Sequence, residues 1–152
     1  MTTPIAAHKT DVLLERDVTS VTIGNGDVLD GVTSASITVD GQSTEISELG
    51  EAGVRRLLGR ADFTVDLDIN FDPSDDGTSN AANGHQGLLN DSKDDTILYG
   101  VSIDFDSTSS SSFAIGAACK VATADISADD GALTMSVSLE TADGAEWTDG
   151  TI

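Results

Sequence analysis

Cysteine, aromatic and basic residues are scarce in this chain, and each scarcity removes a class of function. One cysteine, Cys119, in 152 residues excludes an internal disulfide and a thiolate metal site. Aromatic residues make up 4% of the sequence, too few to build platforms for stacking sugars or bases. Lysine and arginine number 7 against 27 aspartates and glutamates, a formal charge of −20 at pH 7. So acidic a surface repels a phosphate backbone, which excludes a protein that grips nucleic acid. It suits a protein hydrated in concentrated salt, where the Debye length falls to about 3 Å at 1 M and self-repulsion is switched off. A halophilic source is therefore expected.

Long apolar runs are missing too. The longest, at residues 113–119, is far short of the roughly 20 residues that cross a bilayer as a helix, so no membrane partner is expected. Residues 1–15 lack the apolar centre of a signal peptide, and synthesis in the cytoplasm is the expectation. Catalytic constellations are absent as well. The two histidines, His8 and His85, have no cysteine or histidine beside them, and the serines sit in low-complexity loops or on alternating strands without a nucleophile elbow. Asp72, Ser74, Asp76 and Gly77 fit the first half of a calcium loop, but Asn83 stands where its closing acid belongs. The sequence points to no enzyme, no cofactor and no metal.

What is present is β-alternation. In residues 60–75, RADFTVDLDINFDPSD, the apolar set is Phe63, Val65, Leu67, Ile69 and Phe71. Thr64, Asp66, Asp68 and Asn70 fall on the other face, as in a strand with one side on a core and one in water. Residues 32–40 (VTSASITVD) alternate in the same way, with Ser34, Ser36 and Thr38 polar. Residues 132–140 (ALTMSVSLE) do so with Thr134, Ser136 and Ser138. Asp40-Gly41 predicts a hairpin returning over residues 42–47, followed by a loop over 48–58. Further strands are expected at 18–23 and 96–105, and residues 113–121 read as a small-residue strand or a tightly packed edge, with residues 124–127 running on to a turn at 128–131. A glycine-weakened helix is expected over 78–90, and a hydrophilic loop at 107–112. Residues 1–16 read as an N-terminal arm docked by Val12, Leu13 and Leu14, ahead of one β domain over 17–152. Three of the seven basic residues, Arg55, Arg56 and Arg60, cluster before the central strand and are expected to salt-bridge at a contact surface.

The order of these parts resembles the major tail tube proteins of long-tailed phages and related archaeal tailed viruses. The likeness is carried by the strand pair over 32–47, the Arg55-Arg56-Leu57-Leu58-Gly59 stretch and the strand ending Asn70-Phe71-Asp72-Pro73-Ser74-Asp75. A short helix, several strands and a Gly144-Ala145 tail complete it. The acidity and the glycines of the helix depart from the usual pattern. The resemblance implies a mainly β protomer, sandwich or barrel-like, with one short flanking helix. It implies hexameric rings, closed through long hairpins into a shared β-barrel and stacked into a hollow tube. Viral DNA would pass through without specific binding, and other tail proteins would meet the tube ends. The place of action would be the virion tail, assembled in the host cytoplasm. Ser34, Ser36, Thr38, Thr64, Asp66, Asp68, Thr134, Ser136 and Ser138 would then line the lumen. Val12, Leu13, Leu14, Arg55, Arg56, Arg60, Asp72, Asp75 and Asp76 would make subunit contacts. The alternatives are a tail-completion ring protein and a secreted calcium-stabilised β-sandwich binding module, with a hydrolase third.

Overall fold

Strand alternation organises most of the molecule. The computed structural model describes residues 10–46, 55–74, 84–109, 112–129, 131–142 and 148–151. Its strands are β1 (Asp11–Arg16), β2 (Asp27–Val28), β3 (Val32–Ile46), β4 (Arg55–Asn70), β5 (Tyr99–Asp104), β6 (Phe113–Asp129), β7 (Ala132–Thr141) and β8 (Thr148–Thr151), with a helix, α1 (Gly84–Asp91), between β4 and β5. All pairings are antiparallel, in the order β2-β1-β5-β6-β7-β4-β3, with β8 on β6, and the sheet does not close on itself.

β6 belongs to two layers. Residues 114–119 pair with β5 on one side, and residues 113–116 with β8 on the other. Beyond a register shift between Val121 and Thr123, the same strand pairs only with β7. One layer is thus β2-β1-β5-β6-β8 and the other β6-β7-β4-β3. Val12, Leu14, Tyr99, Val101 and Ile103 of the first meet Phe63, Val65, Leu67, Ile69, Met135, Val137 and Leu139 of the second in one core. Each large apolar side chain buried there contributes about 1.5–3 kcal/mol, which pins the registers of β4 and β7.

Within the first layer, β5 and β6 leave no room for a side chain at Gly116. A Cβ added to Gly116 would lie 2.6 Å from the carbonyl oxygen of Val101, a backbone atom that cannot step aside. Gly116→Ala is expected to cost about 1–3 kcal/mol, the usual penalty for overpacking, read as a lower denaturation midpoint at unchanged m-value.

Several expectations are corrected. The hairpin at Asp40-Gly41 does not form. β3 continues to Ile46, and the pair is absorbed as a register shift between Gly41 and Ser43, the irregularity a strand glycine permits. Residues 55–58, expected in a loop, open β4. The arm is not an arm over 11–16: β1 lies between β2 and β5, because Val12 and Leu14 supply apolar surface that the first layer needs. Residues 18–23 form no strand. Asp17, Gly24 and Gly26 take positive φ, and the segment bends across β5, with Val18 against Gly100. The helix is present over Gly84–Asp91, and the earlier part of the expected range, like all of residues 75–83, lies outside the described residues. The stretch at 113–121 is an interior strand that runs on to Asp129.

Candidate assembly surface

The second layer turns its outer side to water, and that side is polar along all four strands. Ladder partners in an antiparallel sheet share a face, so the register aligns the rows directly. Ser34, Asp68, Ser136 and Asp125 form one row, and Ser36, Asp66, Ser138 and Thr123 the next. Thr38, Thr64, Glu140 and Lys120 form a third, and Asn70, Thr134 and Ser127 extend the face at the other end. All nine residues expected to line a lumen therefore lie together on one surface. Asp66 and Asp68 are exposed, and Ser136 Oγ donates a hydrogen bond to Asp68 Oδ1 at 2.9 Å.

Sequence reading missed the fourth strand. Thr123, Asp125, Ser127 and Asp129 alternate with Ala124, Ile126 and Ala128, a period-two signal as clear as that of β7. The register shift at residue 122 breaks its phase with the strand half before it.

Both flanks of this layer are unpaired among the described residues. β3 pairs only with β4, and residues 120–129 of β6 pair only with β7. Such edges present rows of unused N–H and C=O groups. β3 and β4 also run on past the rest of the layer. The last β7 rung joins Thr64 to Glu140, while the β3–β4 ladder continues from Asp40 and Asp62 to Ile46 and Arg55. This two-stranded ribbon spans about 20–25 Å at strand rise and carries Arg55, Arg56 and Arg60 in its backbone.

The other expected contact residues are dispersed. Val12 and Leu14 are buried within the protomer, while Leu13 is half-buried. Asp72 is exposed and closes a turn, its Oδ1 accepting from the Ser74 N–H at 2.9 Å and the Ser74 hydroxyl at 2.6 Å. Those bonds hold its carboxyl below the usual range. Asp75 and Asp76 lie outside the described residues, as do the side chains of Arg55, Arg56 and Arg60.

Polar groups also fasten α1 to the sheet. Arg16 grips Asp91 in a bidentate pair, Nε to Oδ2 at 2.8 Å and a terminal guanidinium nitrogen to Oδ1 at 3.0 Å. The buried Tyr99 hydroxyl donates to Asp91 Oδ2 as well. The Arg16 bonds hold the Asp91 carboxyl below its usual range, while burial, aided by Asp91, raises the Tyr99 phenol. His85 of α1 is buried. Its Nδ1 accepts from the Asp72 N–H at 2.9 Å and its Nε2 lies 2.8 Å from the Asp30 carbonyl oxygen. The ring thus ties α1 to the chain around β3 and the end of β4.

A depressed carboxylate contributes stability above its unfolded value, near 3.9, and loses it as pH falls through the folded value. Asp91→Asn should cost about 1–3 kcal/mol at pH 7, the range for weakening a charge-assisted hydrogen bond. It should also flatten the fall in Tm between pH 5 and 3, followed by calorimetry. An unchanged acid profile would remove Asp91 from the cause.

No family profile matches the sequence, and no curated protein matches it. Solved structures do. A chain in the virion of a native gene transfer agent particle matches over 95% of this chain and 99% of its own, with TM-score 0.62 and 11% identity. A chain in the tail of an empty gene transfer agent particle, determined with C6 symmetry, matches over 90% and 95%, with TM-score 0.58 and 11% identity. The SPP1 tail tube matches over 97% of this chain and 80% of its own, with TM-score 0.65 and 13% identity. At these identities the likeness establishes a shared fold: antiparallel β-layers with one short helix.

Proposed function

We propose that this chain is the structural subunit of a virion tail tube, forming stacked rings through which viral DNA leaves the particle. One observation carries the reading: a four-stranded polar face is flanked by two unpaired edges that fit each other. Strand directions alternate across β3, β4, β7 and β6, so β3 and β6 run oppositely. Rotation about an axis preserves direction, and the β3 edge of one copy therefore meets the β6 edge of the next in antiparallel sense. The contact is heterologous, and a heterologous contact closes into a ring when its rotation divides the circle.

Six-fold closure is taken from the C6 symmetry of the gene transfer agent tail. Four strands from each of six copies give about two dozen strands, a barrel roughly 40–50 Å across between backbones and open at its centre. Its inner wall would be the hydroxyl and carboxylate rows, with Asp66 and Asp68 repelling phosphate so that DNA slides without adhering. The role is structural rather than catalytic. The ribbon bearing Arg55, Arg56 and Arg60 would reach the next ring, Asp72 lies on a turn suited to such contacts, and other tail proteins would meet the tube ends. The working place is the virion tail.

Purified protein in about molar salt, where charge is screened, should sediment as rings or tubes with an axial hole visible by negative-stain microscopy. A monomer at every concentration and salt would overturn the reading. Isolated rings that never stack would favour a tail-completion component.

A further inference from the structure

The side of the second layer that faces the core is not fully covered. Ile126 points to that side, yet 40% of its surface is exposed, because among the described residues no strand lies beyond the β6 edge there. Ala124 and Ala128 flank it on the same side. At the opposite flank, behind β3, the two layers part in an open groove of about 590 Å³. The buried Val12 and Leu29 line it together with the more exposed Val28, Val32 and Ala35. The volume is several times the ~150 Å³ that accepts one benzene. Val28 is itself 41% exposed, so the groove leaves apolar surface in water.

We propose that Ile126 of each protomer seats in this groove of its neighbour, with Ala124 and Ala128 beside it. The occupant is a second copy of this chain, and the proposal rests on the ring reading above. The register places knob and groove at one level: Ile126 pairs with Met135, Met135 with Ile69, and Ile69 with Val32. One rung away, Ala124 leads through Val137 and Leu67 to Ala35. If the neighbour's β6 lies antiparallel along β3 with its rows continuing these rows, Ile126 comes beside Val32. Ile126 and Ala35 both point to the core side of the layer, so the side chain enters the space behind β3. Backbone pairing between edges is indifferent to sequence. Ile126 is held on the core side by its own ladder to Met135, so the edges can slip only by two residues at a time, and the Ile126 seat selects among those registers.

The test uses the full-length chain in about molar salt. Ile126→Cys is combined with Val32→Cys, and separately with Val28→Cys. Ile126→Cys with Phe113→Cys, an exposed position on the first half of β6, is the control. The native Cys119 does not compete, being buried with its thiol pushed up to about 12. Mild oxidation should link neighbours through residue 126 and at least one groove position, giving ladders that end at the ring, with no ladder from the control. In parallel, Ile126→Asp should raise the concentration at which rings form roughly 10–100-fold, the loss expected for one buried apolar side chain. Ile126→Leu should stay within a few-fold of the parent. Rings that assemble without either cross-link, and at unchanged concentration for Ile126→Asp, overturn the seat and leave the ring reading standing. A parent chain that forms no rings overturns both.

Discussion

Asp66→Lys combined with Asp68→Lys is expected to leave folding and ring assembly largely intact and to slow DNA passage by orders of magnitude at low salt. Both side chains are exposed on the polar face, and the one bond to give up is that from Ser136 Oγ to Asp68. Turning the strand over instead would bury both carboxylates unpaired, at several kcal/mol apiece, so the register cannot relax to hide the change. Each lysine facing the bore adds a phosphate contact, and binding that releases Z counterions falls with salt at a slope near −0.9Z. Release of DNA from particles carrying the variant should therefore be slowest in dilute buffer and recover steeply as salt is added. Normal release through well-formed tubes would place these carboxylates away from the bore.

Dilution of salt should dismantle the wild-type assembly. The chain carries −20 at pH 7, and ring closure brings such charges together along the polar rows. The register already places Asp68 and Asp125 in one row with only Ser136 between them. At 1 M salt such pairs are screened beyond about 3 Å, whereas at 0.01 M the range grows to about 30 Å, on the scale of a whole protomer. Tubes should dissociate to subunits between these limits, followed by light scattering, and reassemble when salt is restored. Tubes that persist in millimolar salt would mean that the acidity is borne by cation binding or by close pairing with the seven basic residues rather than by screening.

Much of the wall was legible before any coordinates. β4 and β7 bury one face and wet the other, so period two survives in the sequence, and with it the assignment of Asp66, Asp68 and Ser136 to a common side. β3 was legible only to Asp40, because Asp-Gly is a turn signal locally and becomes a bulge only when a long partner strand holds the chain straight. β1 hid its alternation: Val12 and Leu14 are buried while Leu13, half-buried on the other side, fills in the pattern. β5 and the first half of β6 are covered on both faces, which erases period two altogether. The Arg16–Asp91–Tyr99 cluster had no local signal, since Arg16 and Asp91 are 75 residues apart and meet only through the packing of α1 on the first layer.

β6 crosses from one layer to the other without a loop, and this bears on mechanics. Outward pressure on residues 123–129 travels along the peptide chain itself to residues 113–119, where β5 and β8 grip both edges. The load on the polar wall is thus anchored through covalent bonds as well as side-chain packing. The ladder can yield first at the offset between Val121 and Thr123, the one irregular rung on the β7 side. In the proposed ring, that offset would take up a change in diameter while the rungs on either side stay closed.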